Sequence, residues 1–136
     1  MALLHSRWRA VLAWLPAVTV ALLILIQSSI PGEHFSFLTR FLHDKLLHIG
    51  LYFVFGLSLA FSLCIQPHVT YLRKHWFVSG IVIATLYAIG DETRQIFISK
   101  RTADIADLNA DVFGIFLAFF LFRFVSARWE ARKTAS

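Results

Sequence analysis

Four apolar runs, each close to the roughly 20 residues that a membrane-crossing helix needs, dominate this chain and leave little else to fold. They extend from about Val11 to Ile30, Leu46 to Gln66, Trp76 to Ile98 and Leu108 to Val125. At about 1.5 Å of rise per residue, each run spans a hydrocarbon core about 30 Å thick. A soluble reading fails on composition: of 136 residues, 58% are hydrophobic and only 15% charged, more apolar surface than one small core can hide. The expectation is an all-α, four-helix transmembrane bundle forming a single domain over residues 1–136.

Local chemistry sets the boundaries. The first run follows a short basic start with Arg7 and Arg9 and closes at the breaker pair Pro31 and Gly32. A cleaved signal peptide shares that basic start, but this run is long and no small-x-small site follows it, so a retained span is expected. The second run begins after Asp44 and Lys45 and stops before Pro67, which cannot continue a helix cheaply. Trp8, Tyr71, Trp76 and Trp129 fall near run ends, where amphipathic rings suit the membrane interface. Cys64 lies inside an apolar run and, as the one cysteine, reads as packing.

The polar residues divide unevenly between the two ends. Of thirteen Lys and Arg residues, eight fall at the N-terminus, in the loop holding Arg73 and Lys74, and at the C-terminal end; five fall on the opposite side. The positive-inside rule then places both termini and the middle loop in the cytoplasm, and the first and third loops outside. The acids are more lopsided: Glu33, Asp44, Asp91, Glu92, Asp104, Asp107 and Asp111 lie at the outer ends, and Glu130 alone lies inside. The formal charge of +5 is explained by cytoplasmic flanks, and no basic stripe interleaved with aromatics marks nucleic-acid binding.

Helical spacing groups the outer residues. Asp44, His48 and Tyr52 are successive i, i+4 neighbours on the second helix; Asp91 and Gln95 pair on the third, on a face continued by Ala84, Tyr87 and Ala88. On the fourth, Asp107, Asp111, Gly114 and Ala118 line up, and small residues let helices approach closely. A carboxylate at membrane depth costs a few kcal/mol even on lenient scales, about 3 for aspartate, so Asp91, Glu92 and Asp111 require partners or water. Lys45, His48, Arg94 and Arg101 are the available counter-charges. The expectation is an outward-opening polar pocket built from the second, third and fourth helices and the third loop.

Plainer roles compete for the same residues. Glu33, Arg40, Lys100 and Glu130 read as interfacial anchors, as do His5, His34, His68 and His75; Asp91, Gln95 and Asp111 could serve only as hydrogen-bonded pins of helix register. Asp44, His48, Glu92, Asp107 and Asp111 offer oxygen and imidazole donors, but without a metal-binding signature no metal and no cofactor is assigned. Ser28 and Ser29 lack the context of an activated hydroxyl.

The segment Glu92 to Gly114, E-T-R-Q-I-F-I-S-K-R-T-A-D-I-A-D-L-N-A-D-V-F-G, resembles the VanZ-like family of small bacterial membrane proteins. That pattern has an acid and a Gln closing one helix, a loop Arg followed by spaced Asp residues, and an Asn or Asp with a Gly at the start of the last helix. Here those positions are Glu92, Gln95, Arg101, Asp104, Asp107, Asp111 and Gly114. Asp44-Lys45-Leu46-Leu47-His48, with Tyr52 and Gly56, is similar to the family's Asp-Lys-x-x-His motif, and Gln27-Ser28-Ser29 to its usual first-helix ending. Asp111 departs from the pattern, since many members have Asn there. The resemblance implies a cell-envelope protein whose namesake is linked to teicoplanin resistance.

Three functions fit these residues. In the first, a non-enzymatic protein binds the head group of an anionic membrane lipid or lipid-linked cell-wall precursor, with Lys45, His48, Arg101 and Arg94 meeting phosphate or carboxylate oxygens. In the second, a membrane enzyme acts on a polyprenyl phosphate or phospholipid, with His48 or Glu92 as acid or base. In the third, the chain is a small carrier relaying protons through its carboxylates.

Overall fold

The computed structural model describes residues 2–29, 37–98 and 104–134, and these form five helices: α1 Ala2–Ser29, α2 Phe37–Ile65, the short α3 Thr70–Lys74, α4 Trp76–Gln95 and α5 Ile105–Thr134. Arg101 and the Pro31–Gly32 breaker lie outside the described residues, as do Glu33, His34 and Lys100. The side chains of His5, Arg7, Arg9, Arg40 and Asp44 also lie outside them.

Three helices, α1, α2 and α5, contain stretches long and apolar enough to cross a membrane. The third expected span is the exception. α4 is 20 residues long but carries Asp91, Glu92 and Arg94 in its last turns, so it holds no uninterrupted stretch as apolar as those of the other three. The expected edges also move: α2 starts before Leu46, α4 ends before Ile98, α5 runs past Val125, and α3 occupies what reads as loop. Outside a hydrocarbon layer a helix gains nothing from apolarity, so hydropathy cannot mark where α2 begins or where α5 stops.

α2 is the hub, packing against α1, α4 and α5. Apolar residues face outward around the bundle, among them Leu22, Val54, Leu86, Phe113 and Phe120. Lipid is as apolar as these side chains, so association of the helices depends on fit and on polar bonds rather than on escape from solvent. The α2–α5 contact shows that fit. A Cβ built on Gly114 would lie 2.5 Å from the Ile49 carbonyl oxygen and 3.1 Å from the Phe53 nitrogen, so the two backbones touch where glycine stands. One turn further along α5, Ala118 lies against Gly56. Deeper still, Phe119 is fully buried, over Gly80 and beside Trp76 and Phe77.

Gln66 closes the opposite end of α2. Its side-chain oxygen accepts the amides of His68 and Val69 at 3.0 and 2.8 Å, and its amide nitrogen donates to the Val69 carbonyl at 2.7 Å. The chain is thereby turned into α3 with those backbone groups satisfied.

Candidate functional site

The C-terminal ends of α1 and α4, the N-terminal part of α5 and the first half of α2 meet at one end of the bundle, where most of the acids gather. The buried polar residues here are Ser28, His48, Asp91, Glu92, Gln95, Asp107 and Asp111, together with Tyr52. The helix arithmetic places these side chains as expected: Ala84, Ala88, Asp91 and Gln95 are buried on α4, and Asp107, Asp111, Gly114 and Ala118 on α5.

Two networks share this end. In the first, Asp91 sits among three helices. The Ser28 hydroxyl donates to its Oδ1 at 2.7 Å, Arg94 donates to the same oxygen at 3.0 Å, and the Tyr52 hydroxyl approaches Oδ2 at 3.5 Å. Arg94 continues onto α1, donating to Ser28 Oγ at 2.5 Å, Ser29 Oγ at 3.0 Å and the Leu25 carbonyl at 3.2 Å. The helix dipole favours a guanidinium near a helix C-terminus, and here it shares the Leu25 carbonyl with the Ser28 and Ser29 hydroxyls. Below this clasp the Tyr87 hydroxyl donates to the Ala21 carbonyl at 2.6 Å, a second tie between α4 and α1.

In the second network, α2 is bound to α5. Lys45 donates to Asp104 at 2.9 Å and also to Asp107, while His48 Nδ1 lies 2.8 Å from Asp111 Oδ1. The His48 Nε2 is 4.0 Å from Asp107, too far for a hydrogen bond. Glu92 bridges from α4: its Oε1 accepts the Asp104 amide at 2.6 Å, and its Oε2 accepts from Gln95 at 3.3 Å. Glu92 thus holds the start of α5 against the end of α4.

Asp104 caps α5, accepting the Ala106 amide at 2.8 Å. That bond, and then the one from Lys45, hold its carboxyl below the ordinary range. The folded-state value is the lower one, so the cap contributes at and above the ordinary carboxylate range and is lost as pH falls through the depressed value. Amide protection factors for Ala106 and Asp107 are expected to drop in acid in the wild type. In Asp104→Ala the same amides should be weakly protected at every pH, by about 1 kcal/mol. Equal protection in the two proteins at neutral pH would show the cap to be inert.

Of the expected pocket residues, the structure gathers Lys45, His48, Tyr52, Asp91, Glu92, Gln95, Asp104, Asp107 and Asp111; nothing is described for Arg101 or for the Asp44 side chain. Sequence reasoning passed over Ser28 and Ser29 and did not foresee that Arg94 is committed to α1. The signal available was the Gln-Ser-Ser ending of the first run. Among the described residues no group of three or more acids, histidines or cysteines is arranged to hold a metal ion.

The sequence profile of a family described as VanZ/LLP1 matches residues 5–126, nearly the whole chain. No curated protein and no solved structure matches it.

Proposed function

The chain belongs to the VanZ/LLP1 family, and from that premise we propose that it is a multi-pass protein of the bacterial cytoplasmic membrane that binds the head group of an anionic lipid or lipid-linked cell-wall precursor at its acidic end. In this reading α4 is a fourth span. Its carboxylates are partnered inside the bundle rather than presented to lipid, so its lower hydropathy does not exclude it. Both termini and the α3 end lie in the cytoplasm, and the acidic end faces outward. In a Cys64→Ser background, a cysteine at Thr102 should react with an impermeant thiol reagent in intact cells, and one at Ser136 only after permeabilisation. The reverse pattern would invert the topology.

The observation that carries the binding reading is how Lys45 is placed. Its side chain is 15% exposed and bridges two carboxylates, Asp107 at 9% and Asp104 at 46%. Asp104 Oδ2, on the more exposed of the two carboxylates, can surrender its position on the ammonium to a phosphate or carboxylate oxygen, while its Oδ1 keeps the cap and Asp107 stays. Glu92 and Gln95 then lie nearby for hydroxyl groups of the ligand. A cellular effect on glycopeptide susceptibility would follow from occupancy of this site. Native mass spectrometry of the purified protein with a polyprenyl phosphate should show a bound adduct, weakened about tenfold in Lys45→Gln, the size of a hydrogen bond to a charged group. No adduct in the wild type, or equal adducts in both proteins, would overturn the reading.

One contact favours a second reading, a membrane enzyme acting on a lipid-linked substrate. The His48 imidazole is oriented by the buried Asp111 carboxylate, the arrangement that prepares a histidine for general acid–base work. Turnover of a polyprenyl phosphate or phospholipid that is lost in His48→Gln would establish it, and absence of turnover in the wild type would remove it.

A further inference from the structure

At the other end of the bundle, a recess of about 370 Å³ opens between the corner joining α3 to α4 and the flank of α5. Its lining is Lys74, His75, Trp76, Phe77, Val78 and Arg123. We propose that this recess seats the phosphate of an anionic phospholipid from the leaflet at the basic end of the protein, with Lys74 and Arg123 as its cationic contacts. The inference uses the membrane placement of the helices and is independent of any ligand at the acidic end.

The argument begins with charge. Among the described residues, the cations at the acidic end are neutralised: Lys45 by Asp104 and Asp107, and Arg94 by Asp91. Lys74 and Arg123 form no salt bridge among the described residues, and no carboxylate lines the recess between them. Two uncompensated cations on either side of a cavity attract an anion, and Arg offers a paired-donor geometry suited to phosphate oxygens.

The depth is right for a lipid. Arg123 follows Asp107 by sixteen residues of continuous helix, an axial separation of about 24 Å, comparable with a hydrocarbon core about 30 Å thick. The recess therefore lies near the headgroup level of the leaflet opposite the acidic cluster. The surroundings match that level as well. Trp76 and Phe77 form part of the wall, as aromatic residues do at membrane interfaces. The Arg123 guanidinium carbon lies 5.1 Å from the centre of the Phe77 ring, which holds the charge against the wall. Exposed Phe120 and Phe124 continue along α5 on either side of Arg123, where acyl chains would lie.

The test is first-lipid binding by the full-length protein in a mild detergent, offered phosphatidylglycerol and phosphatidylcholine of the same acyl composition in equal amounts and read by native mass spectrometry. The wild type should favour phosphatidylglycerol. Lys74→Gln/Arg123→Gln should lower that preference about 25-fold, from roughly fivefold for each basic residue removed near an anionic surface. Arg132→Gln/Lys133→Gln removes the same charge from the same end but outside the recess, and should keep the preference. Lys74→Arg/Arg123→Lys should keep it too. A wild type without preference, a recess variant that retains it, a control that loses as much, or loss of the lipid to 10 mM inorganic phosphate would each overturn the proposal. If the recess variant does not elute as the wild type does, Trp76 carries the test in a Trp8→Phe/Trp14→Phe/Trp129→Phe protein. Brominated phosphatidylglycerol should quench it more than brominated phosphatidylcholine, and equal quenching would count against the site.

Discussion

Gly114→Val is expected to remove the protein from the membrane almost completely, while Gly90→Val is tolerated. Both glycines are in helices and both substitutions add the same β-branched side chain, so propensity alone cannot separate them. Space does. The Cβ at Gly114 would be 2.5 Å from the Ile49 carbonyl oxygen, and at Gly90 nothing lies within 4 Å. The obstacle at Gly114 is backbone, which cannot rotate away as the end of a side chain can. Relief requires α2 and α5 to separate, and with them Lys45 from Asp104 and Asp107, and His48 from Asp111. We expect a loss of about 3 kcal/mol or more, at the upper end of overpacking penalties. Cellular abundance and thermal stability in detergent measure it. Two variants of equal abundance and equal melting temperature would mean that the α2–α5 approach is looser than the structure has it.

The second large effect concerns the His48–Asp111 pair. His48→Ala leaves the carboxylate of Asp111, 1% exposed, without its 2.8 Å partner. Leaving a buried carboxylate without its hydrogen-bond partner costs about 3 kcal/mol, because the survivor has lost its donor and water does not replace it. Replacing both members by apolar residues avoids that penalty, so His48→Ala/Asp111→Leu should be more stable than His48→Ala alone. Asp111→Asn retains a hydrogen-bonding side chain, and should cost least of the three. A double-mutant cycle in detergent reads the coupling. Strictly additive losses would show that the two groups do not depend on each other.

Much of this was legible in the sequence, and the remainder was hidden for physical reasons. The apolar runs located α1, α2 and α5 because hydropathy is the quantity that a bilayer tests. The i, i+4 rule placed His48 with Tyr52, Asp91 with Gln95, and Asp107 with Asp111 on buried faces, since one helix's geometry is enough for that. Pairing across helices was another matter. Lys45 stands three residues before His48 and seven before Tyr52, on the same face, but nothing in the period of α2 says that its ammonium meets Asp104 and Asp107 at the start of α5. Arg94 reads as a counter-charge for the pocket, but which helix it serves depends on how α1 leans against α4, and no periodicity within α4 contains that. α3, five residues long, is too short to have a period at all.

The bonds of α4 also bear on the order in which the chain is made. Two of the partners of Asp91, Ser28 and Tyr52, stand on helices that leave the ribosome before α4 does, so that carboxylate can find them on arrival. Among the described residues Glu92 makes no hydrogen bond to the earlier helices. It accepts the amide of Asp104, a residue synthesised after it, at the threshold of the last helix. α4 is therefore settled from two sides at different times. Its earlier half-site is ready when it emerges, and its later one arrives only with α5, so biogenesis of this small protein is complete only when its final helix is in place.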